Sequence, residues 1–467
     1  MNRAALVVGA VLAALAAASC HRRQEPPQAP PEPTPAYPAP EAQPPAAPPV
    51  APEPAPEQAA PAPQPPAGYQ PPRLVPLPNE PVIRVGIVVD RDSALFTATG
   101  QFRVLDAGGG VIAVAGAGRN WTVRAGDSPG RLYLYRPDMP EPIGLAAPVQ
   151  VRTEQEGDFV IVGSRRYRGD LLIQRGTAGV TVVNRVHMEQ YLLSVVALEL
   201  GFRAPSDREA VKAQAVAART FAARFRGRRE ALGFDVYPSD ADQVYTGLEA
   251  ELPEVAAAVG STVGEIVTWR SQPIQALFHS TCGWSTEAAE QVFQNREIVP
   301  YLRATTDRYG EGERDFYCAI SPRFRWREEW SGSALTAGLA QTLPAILGAS
   351  ARAGIGRVTD IRAGRVSPTG RVAELIVTTT TGTFTVPGGR VREAMRPAAQ
   401  RQLNSNMFQL HVDKGGGEVT RVVAAGGGYG HGVGMCQYGA VGRARAGWQY
   451  QQILSTYYDG TRLERIY

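Results

Sequence analysis

The sequence predicts an α+β fold: a mixed, largely antiparallel β-rich body with a central alanine-rich helix carrying the site, preceded by a disordered proline-rich tether. Three observations predict it. Residues 22–78 are dominated by Pro, Ala, Glu and Gln, and such a segment cannot bury enough apolar surface to offset the entropy of ordering. Between residues 82 and 183, short apolar runs such as VIRVGIVVD, RLYLYRP and GVTVVNRV are punctuated by Gly and Asp, which reads as antiparallel strands joined by turns. Val211, Ala215, Ala218, Ala222 and Phe225 then recur at helical spacing, and the alanines allow a neighbouring element to approach closely.

The elements follow in order. Arg3, an apolar run over residues 4–18 and Ala17-Ala18-Ser19 before Cys20 read as a secretory signal, residues 1–19, with a bacterial lipoprotein-type cleavage site. The run is shorter than the roughly 20 residues of a membrane span, so lipidation at Cys20 would anchor the chain by acyl groups. An ordinary signal peptide with an incidental cysteine competes, because Ala17 stands where Leu is more usual. Residues 20–78 form the lipidated cysteine and the linker, whose polyproline reach of about 3 Å per residue suits a target far from the membrane, such as the cell wall. What remains exceeds one ordinary core and divides into a β-rich part, 79–183, and a part carrying the chemistry, 184–467. Helices are expected at 208–229 and 252–263, strands at 274–280, 358–363 and 372–381, and a last helix from Tyr450 that Gly460 ends. Ser206 with Glu209 reads as a capping box. The formal net charge is +4, and no basic helix or aromatic RNA-binding pattern stands out, which argues against nucleic acid as a partner.

Glu199 is the first candidate for chemistry, a single carboxylate in the apolar run YLLSVVALEL. At helical spacing it shares a face with Leu192, Val195 and Val196, and at strand spacing with Tyr191, Leu193 and Val195. Lost hydration would raise its pKa towards the range of a general acid, although an acid just before Gly201 can equally turn into solvent. Lys212 and Arg219, two helical turns apart, could aim two cations at one acidic or hydroxyl-rich ligand, or simply be solvated. Of four cysteines, Cys20 is taken by export, and Cys282, Cys318 and Cys436 are left. A Cys282–Cys318 disulfide with one free thiol satisfies the count. So does a metal site, since His279 and Cys282 have an H-x-x-C spacing and Cys318 could be a third zinc ligand. The block GGGYGHGVGMCQYGA has glycines that exclude regular helix and let backbone approach a ligand, but no Lys-Ser or Lys-Thr follows, so the phosphate-loop pattern fails. His431 in it is either part of a site wall or a buried residue of a glycine corner. No G-x-S-x-G elbow supports a serine hydrolase.

The sequence resembles the stage II sporulation protein D/LytB family. The resemblance rests on five blocks in order: VNRVHMEQYLLSVVALEL from Val183, EAVKAQAVAARTFA from Glu209, FHSTCGWSTEAAE from Phe278, SPRFRW from Ser321 and GGGYGHGVGMCQYGA from Gly426. It implies a lytic transglycosylase that cuts peptidoglycan glycan strands, with Glu199 as catalyst and no cofactor required. It further implies substrate contacts from Lys212, Arg219, Thr286, Tyr429, His431, Gln437 and Tyr438, and a structural zinc held by His and Cys near FHSTC. Family members named amidase enhancers imply instead that the partner is a cell-wall amidase, stimulated by a non-catalytic envelope lipoprotein. Two departures stand out: ELGFRAPSD replaces the Met-Pro that commonly follows the acid, and Trp284 stands where Gly is usual.

Overall fold

The computed structural model describes residues 68–202, 204–293, 298–397 and 402–467. The signal, Cys20 and the tether up to residue 67 lie outside the described residues. The linker is shorter at its inner end than its composition implies. Leu74 packs against the main core, its carbonyl accepts from Gln190 Nε2 at 3.0 Å, and Leu77 N–H donates to Glu80 at 2.8 Å.

Two antiparallel six-stranded sheets follow. One runs in the order Val82–Arg91, Val180–His187, Asp170–Arg175, Val149–Thr153, Phe102–Leu105 and Val111–Ala115; the other is centred on Ser93–Ala98 and Trp121–Ala125. Strand alternation buries one side of each: Phe102 and Val104 are buried while Arg103 is exposed. The sheets meet through Phe102, whose ring lies 6.3 Å from Phe96 and 5.8 Å from Trp121.

The strand Val180–His187 runs without a loop into helix α1, Met188–Glu199, and this junction carries Glu199 to its place. Leu192, Val195 and Val196 are fully buried, so the helical spacing is the one realised. After a short turn comes helix α2, Arg208–Phe225, whose Ala213, Ala215, Ala217, Ala218 and Ala222 have no exposed surface. The helix starts without a side-chain cap: Glu209 instead bonds Lys212 and the N–H of Tyr450, so the expected capping box does not form. The candidate acid is therefore on α1, and not on the alanine-rich helix.

The helix expected at 252–263 is Pro253–Ser261, and the strand expected at 274–280 shrinks to Phe278–His279, paired in parallel with Met435–Cys436. Two apolar cores form: the first joins the strands of residues 83–182 to residues 186–324 and 433–458, and the second lies within residues 326–424. The second comprises the sheets Arg325–Ser331/Glu418–Gly427/Phe408–Gly415 and Val358–Val366/Val372–Thr379/Gly382–Pro387, with helices Gly332–Leu347 and Gly388–Ala394. Arg325 pairs with Gly427, so this lobe leaves and rejoins the first core at one point. The segment Gly332–Ala351 is apolar and long enough to cross a membrane by composition alone, yet Leu335, Leu339 and Leu343 bury in the second core. The glycine-rich block also departs from expectation. Gly428, Gly430, Gly432 and Gly434 all have positive φ, but a helix, Gln437–Arg445, starts directly after Cys436. Its internal Gly439 and Gly442 leave room for Tyr457, Asp307 and the Tyr317 backbone, contacts that a Cβ would obstruct.

Candidate active site

Glu199 closes α1, and its carboxylate is only partly exposed. Val244 N–H donates to Oε1 at 3.0 Å, and the Gln437 side chain lies against the same carboxylate. Burial pushes its pKa up and outweighs the lowering by these two bonds, while nearby Asp240 adds a further upward push. The loop that supplies Val244 is fixed from both helices. Tyr191 Oη donates to Gln243 at 3.1 Å, Gln243 Nε2 to the Ala218 carbonyl at 3.4 Å, and Thr246 N–H to Ser194 at 3.2 Å. Gln437 in turn donates to Gln214 on α2 at 3.4 Å. The arrangement is a half-buried acid held by one backbone donor and one amide, with an exposed second carboxylate beside it. Such a group can deliver a proton and later take one back.

The structure brings some predicted residues together and separates others. Gln437 reaches Glu199 from the glycine-rich block. Tyr429 is exposed, with Arg323 5.4 Å over its ring, and Arg392 lies within electrostatic reach of both Tyr429 and Asp240. Tyr438 is half-buried, its N–H donating to Ser280 at 3.0 Å. His431 lines a pocket with Val292, Phe293, Gly389, Arg392 and Asn406. Both its ring nitrogens are occupied by backbone, Nε2 by the Phe278 carbonyl at 2.9 Å and Nδ1 by Val433 N–H at 3.1 Å. Burial, with His279 and Arg392 adding, pushes its pKa down to about 3, so it is the neutral imidazole of a glycine corner.

Three expected substrate contacts are engaged within the protein. Arg219 has no exposed surface and makes two bonds to Glu189, at 2.8 and 2.7 Å, because position 219 faces the first turn of α1. Lys212 is half-buried, bonds Glu209 at 2.6 Å and lies over the Tyr450 ring. Thr286 is buried, and its hydroxyl fixes the 303–305 segment, accepting from Thr305 N–H at 2.8 Å. Sequence reasoning missed Asp240, Val244 and Gln214. Gln214 stood on the helical face of Val211, Ala215 and Ala218, and the acid pair in SDADQVY marked the loop.

The thiols form a second constellation. Cys282, Cys318 and Cys436 are buried and free, with Cys282 and Cys318 sulfurs 3.5 Å apart, so the expected disulfide is not formed. Their sulfurs and an Asp307 oxygen all lie within 4.8 Å of one another. Three thiols beside an imidazole, drawn from distant parts of the chain, are a donor set suited to zinc. The cluster thus contains Cys282 and Cys318 of the expected set, adds Cys436 and Asp307, whose spacing in sequence gave no sign of it, and does not include His279.

A family described as "Stage II sporulation protein" matches residues 176–269, which contain α1, α2, Glu199 and Val244. Stage II sporulation protein D of Bacillus subtilis is 32% identical over 296 residues, covering 60% of this chain and 75% of that protein. The chain belongs to the SpoIID/LytB family. An uncharacterized protein of Brachyspira hyodysenteriae is 31% identical over 308 residues, 66% of this chain and 74% of its own length. The amidase enhancer of B. subtilis is 27% identical over 286 residues, 55% of this chain but 38% of that relative. Residues 305–434 match a domain of unknown function (DUF8618), so in this SpoIID/LytB chain the second lobe and Cys318 lie under a separate family description.

Proposed function

We propose that this chain is a cell-envelope enzyme that cleaves peptidoglycan glycan strands, peptide-stripped ones by preference, as a lytic transglycosylase with Glu199 as the single acid and base. The observation that carries the reading is the raised pKa of Glu199 in a setting where Val244 N–H and Gln437 still hold its charged form. Protonated Glu199 gives its proton to the glycosidic oxygen as the bond to C1 breaks. The resulting carboxylate takes the proton of the 6-hydroxyl of the same muramyl residue while that oxygen closes on C1. The products are a 1,6-anhydro-muramyl end and a free hydroxyl on the departing sugar, with no net water consumed. Exposed Tyr429 and half-buried Tyr438 offer faces for sugar rings, and Arg392 offers a cation near Asp240. Export through residues 1–19 and lipid anchoring at Cys20 belong to the same proposal, with the linker carrying the enzyme to the wall.

The test is mass spectrometry of products released from peptide-free glycan strands. Anhydro-muramyl ends that disappear in Glu199→Gln, with activity falling by about 10²–10⁴, are the expected outcome. Reducing ends would replace the transglycosylase by a hydrolase with Asp240 as second carboxylate. The second reading, a non-catalytic enhancer of a cell-wall amidase, is favoured by the relative of that name. It predicts binding without cleavage, and a Glu199→Gln chain that still stimulates an added amidase.

A further inference from the structure

We propose that the second lobe builds a pocket beside Glu199 that receives the 2-acetamido group of an amino sugar in the glycan strand. Asn406 Oδ1 accepts its N–H, Arg392 donates to its carbonyl, and Val292 and Phe293 enclose its methyl. That the group is carried by a sugar rests on the glycan reading above; the choice of a small amide with an apolar tail rests on the pocket's own residues.

Asn406 carries the inference. It is more than nine-tenths buried and forms part of the cavity wall. Its Nδ2 donates to the carbonyls of Gly388 at 2.6 Å and Val372 at 3.4 Å, which can only accept, so the amide cannot be turned round. Oδ1 is therefore the acceptor end, and among the described residues it is buried without a hydrogen-bond partner. A buried acceptor left unused is costly, so this wall calls for a donor.

The other walls select what carries that donor. Val292 and Phe293 make an apolar side, with the Phe293 ring 5.7 Å from that of His431. Arg392 is anchored through Nε at the Leu403 carbonyl, 2.8 Å away, and sits largely out of water, where a hydrogen bond to a ligand carbonyl is strengthened. Glu393 is taken by Arg390 at 2.6 and 2.8 Å. A carboxylate or phosphate would meet Asn406 Oδ1 as a second acceptor, and an ammonium would meet Arg392 as a like charge. A hydroxyl satisfies both polar groups and leaves the apolar side unused. An acetamido group has a donor, an acceptor and a methyl, one for each wall. The cavity of about 70 Å³ suits a ring substituent rather than a whole sugar.

The pocket adjoins the candidate acid. Arg392 lies within electrostatic reach of Asp240 and Tyr429, Asp240 acts on Glu199, and Gly430 N–H donates to the Asn404 carbonyl at 2.9 Å. The second lobe would thus select N-acetylated strands for the acid on α1.

The test is calorimetric titration of the full chain carrying Glu199→Gln, in detergent. The probes are the tetrasaccharides of N-acetylglucosamine and N-propanoylglucosamine, and cellotetraose, which has hydroxyls in place of the amides. The N-acetyl sugar is expected to bind about tenfold or more tighter than either of the others. Val292→Ala enlarges the apolar side and should recover the loss for the N-propanoyl sugar, a gain that a purely structural role would not give. Asn406→Leu should weaken the N-acetyl sugar about tenfold and leave cellotetraose unchanged, with circular dichroism checking that the chain folds. Equal binding of the three sugars, binding of none, or a Val292→Ala chain that still rejects the N-propanoyl sugar overturns the pocket. Binding is read without cleavage, so the two readings fail separately. Acetamido discrimination without anhydro-muramyl products sinks the transglycosylase and keeps the pocket, and those products without discrimination sink the pocket alone.

Discussion

Glu199 is balanced between opposing influences, and each can be removed singly. Burial and Asp240 raise its pKa, while the Val244 N–H and Gln437 bonds lower it. A proton donor must be protonated, so activity falls as pH rises through the Glu199 pKa, which lies above the ordinary glutamate value. Gln437→Ala deletes a bond to the charged form, raises the pKa further and moves this falling limb to higher pH. Asp240→Asn deletes a like charge, lowers the pKa and moves the limb to lower pH. The opposite signs are the informative part, measured as kcat/KM against pH on glycan strands. Two shifts in the same direction would show that the limb belongs to another group. Residues outside these interactions have different work: His431, with both nitrogens bound to backbone, shapes the glycine corner and supplies no proton.

At the scale of elements, α1 and α2 are joined by the buried pair of Glu189 and Arg219, which also holds the Glu265 carbonyl at 3.0 Å. Arg219→Met keeps the volume and leaves Glu189 without its guanidinium, which costs about 3–5 kcal/mol. Thermal or denaturant unfolding measures this, and a loss below about 1 kcal/mol would place Glu189 in contact with water. The result also separates two readings of a cation that the sequence alone left open. The apolar face of α1 was legible because Leu192, Val195 and Val196 repeat at a helical interval, and α2 because its alanines do. The partner of Arg219 was not, since Glu189 lies 30 residues earlier and only the packing of two helices brings them together. The helix Gln437–Arg445 was hidden for a related reason. Gly439, in the glycine-rich block, argued against a helix, whereas the close approach of Tyr457 and Asp307 to Gly439 and of Tyr317 to Gly442 is what requires these glycines. Cys436 stayed unassigned because its contact with Cys282 spans 154 positions.

Across the whole molecule, two apolar cores are coupled through a polar latch. The turn after the strand Val358–Val366 in the second lobe reaches the first core, where Ser367 and Thr369 both donate to buried Glu287. Arg371 donates to Thr369 at 2.9 Å and to the carbonyls of Cys282 and Ser285 at 2.9 and 2.8 Å. No pattern in the sequence announced this, because Glu287 lies in the block FHSTCGWSTEAAE and its partners Ser367 and Thr369 stand 80 and 82 positions away. Each core has enough buried apolar surface of its own that removing the latch should loosen the connection before either core melts. Arg371→Met removes the donor from two buried carbonyls, on the order of 1 to 3 kcal/mol for each acceptor left unpaired. Hydrogen exchange should then rise more in Val358–Val366 and Val372–Thr379 than in α1 and α2, and the unfolding transition should broaden or split. Equal acceleration in both regions would mean that the lobes form one cooperative unit. In that case the second lobe would be part of the rigid frame around Glu199, and its loss would unfold the site together with it.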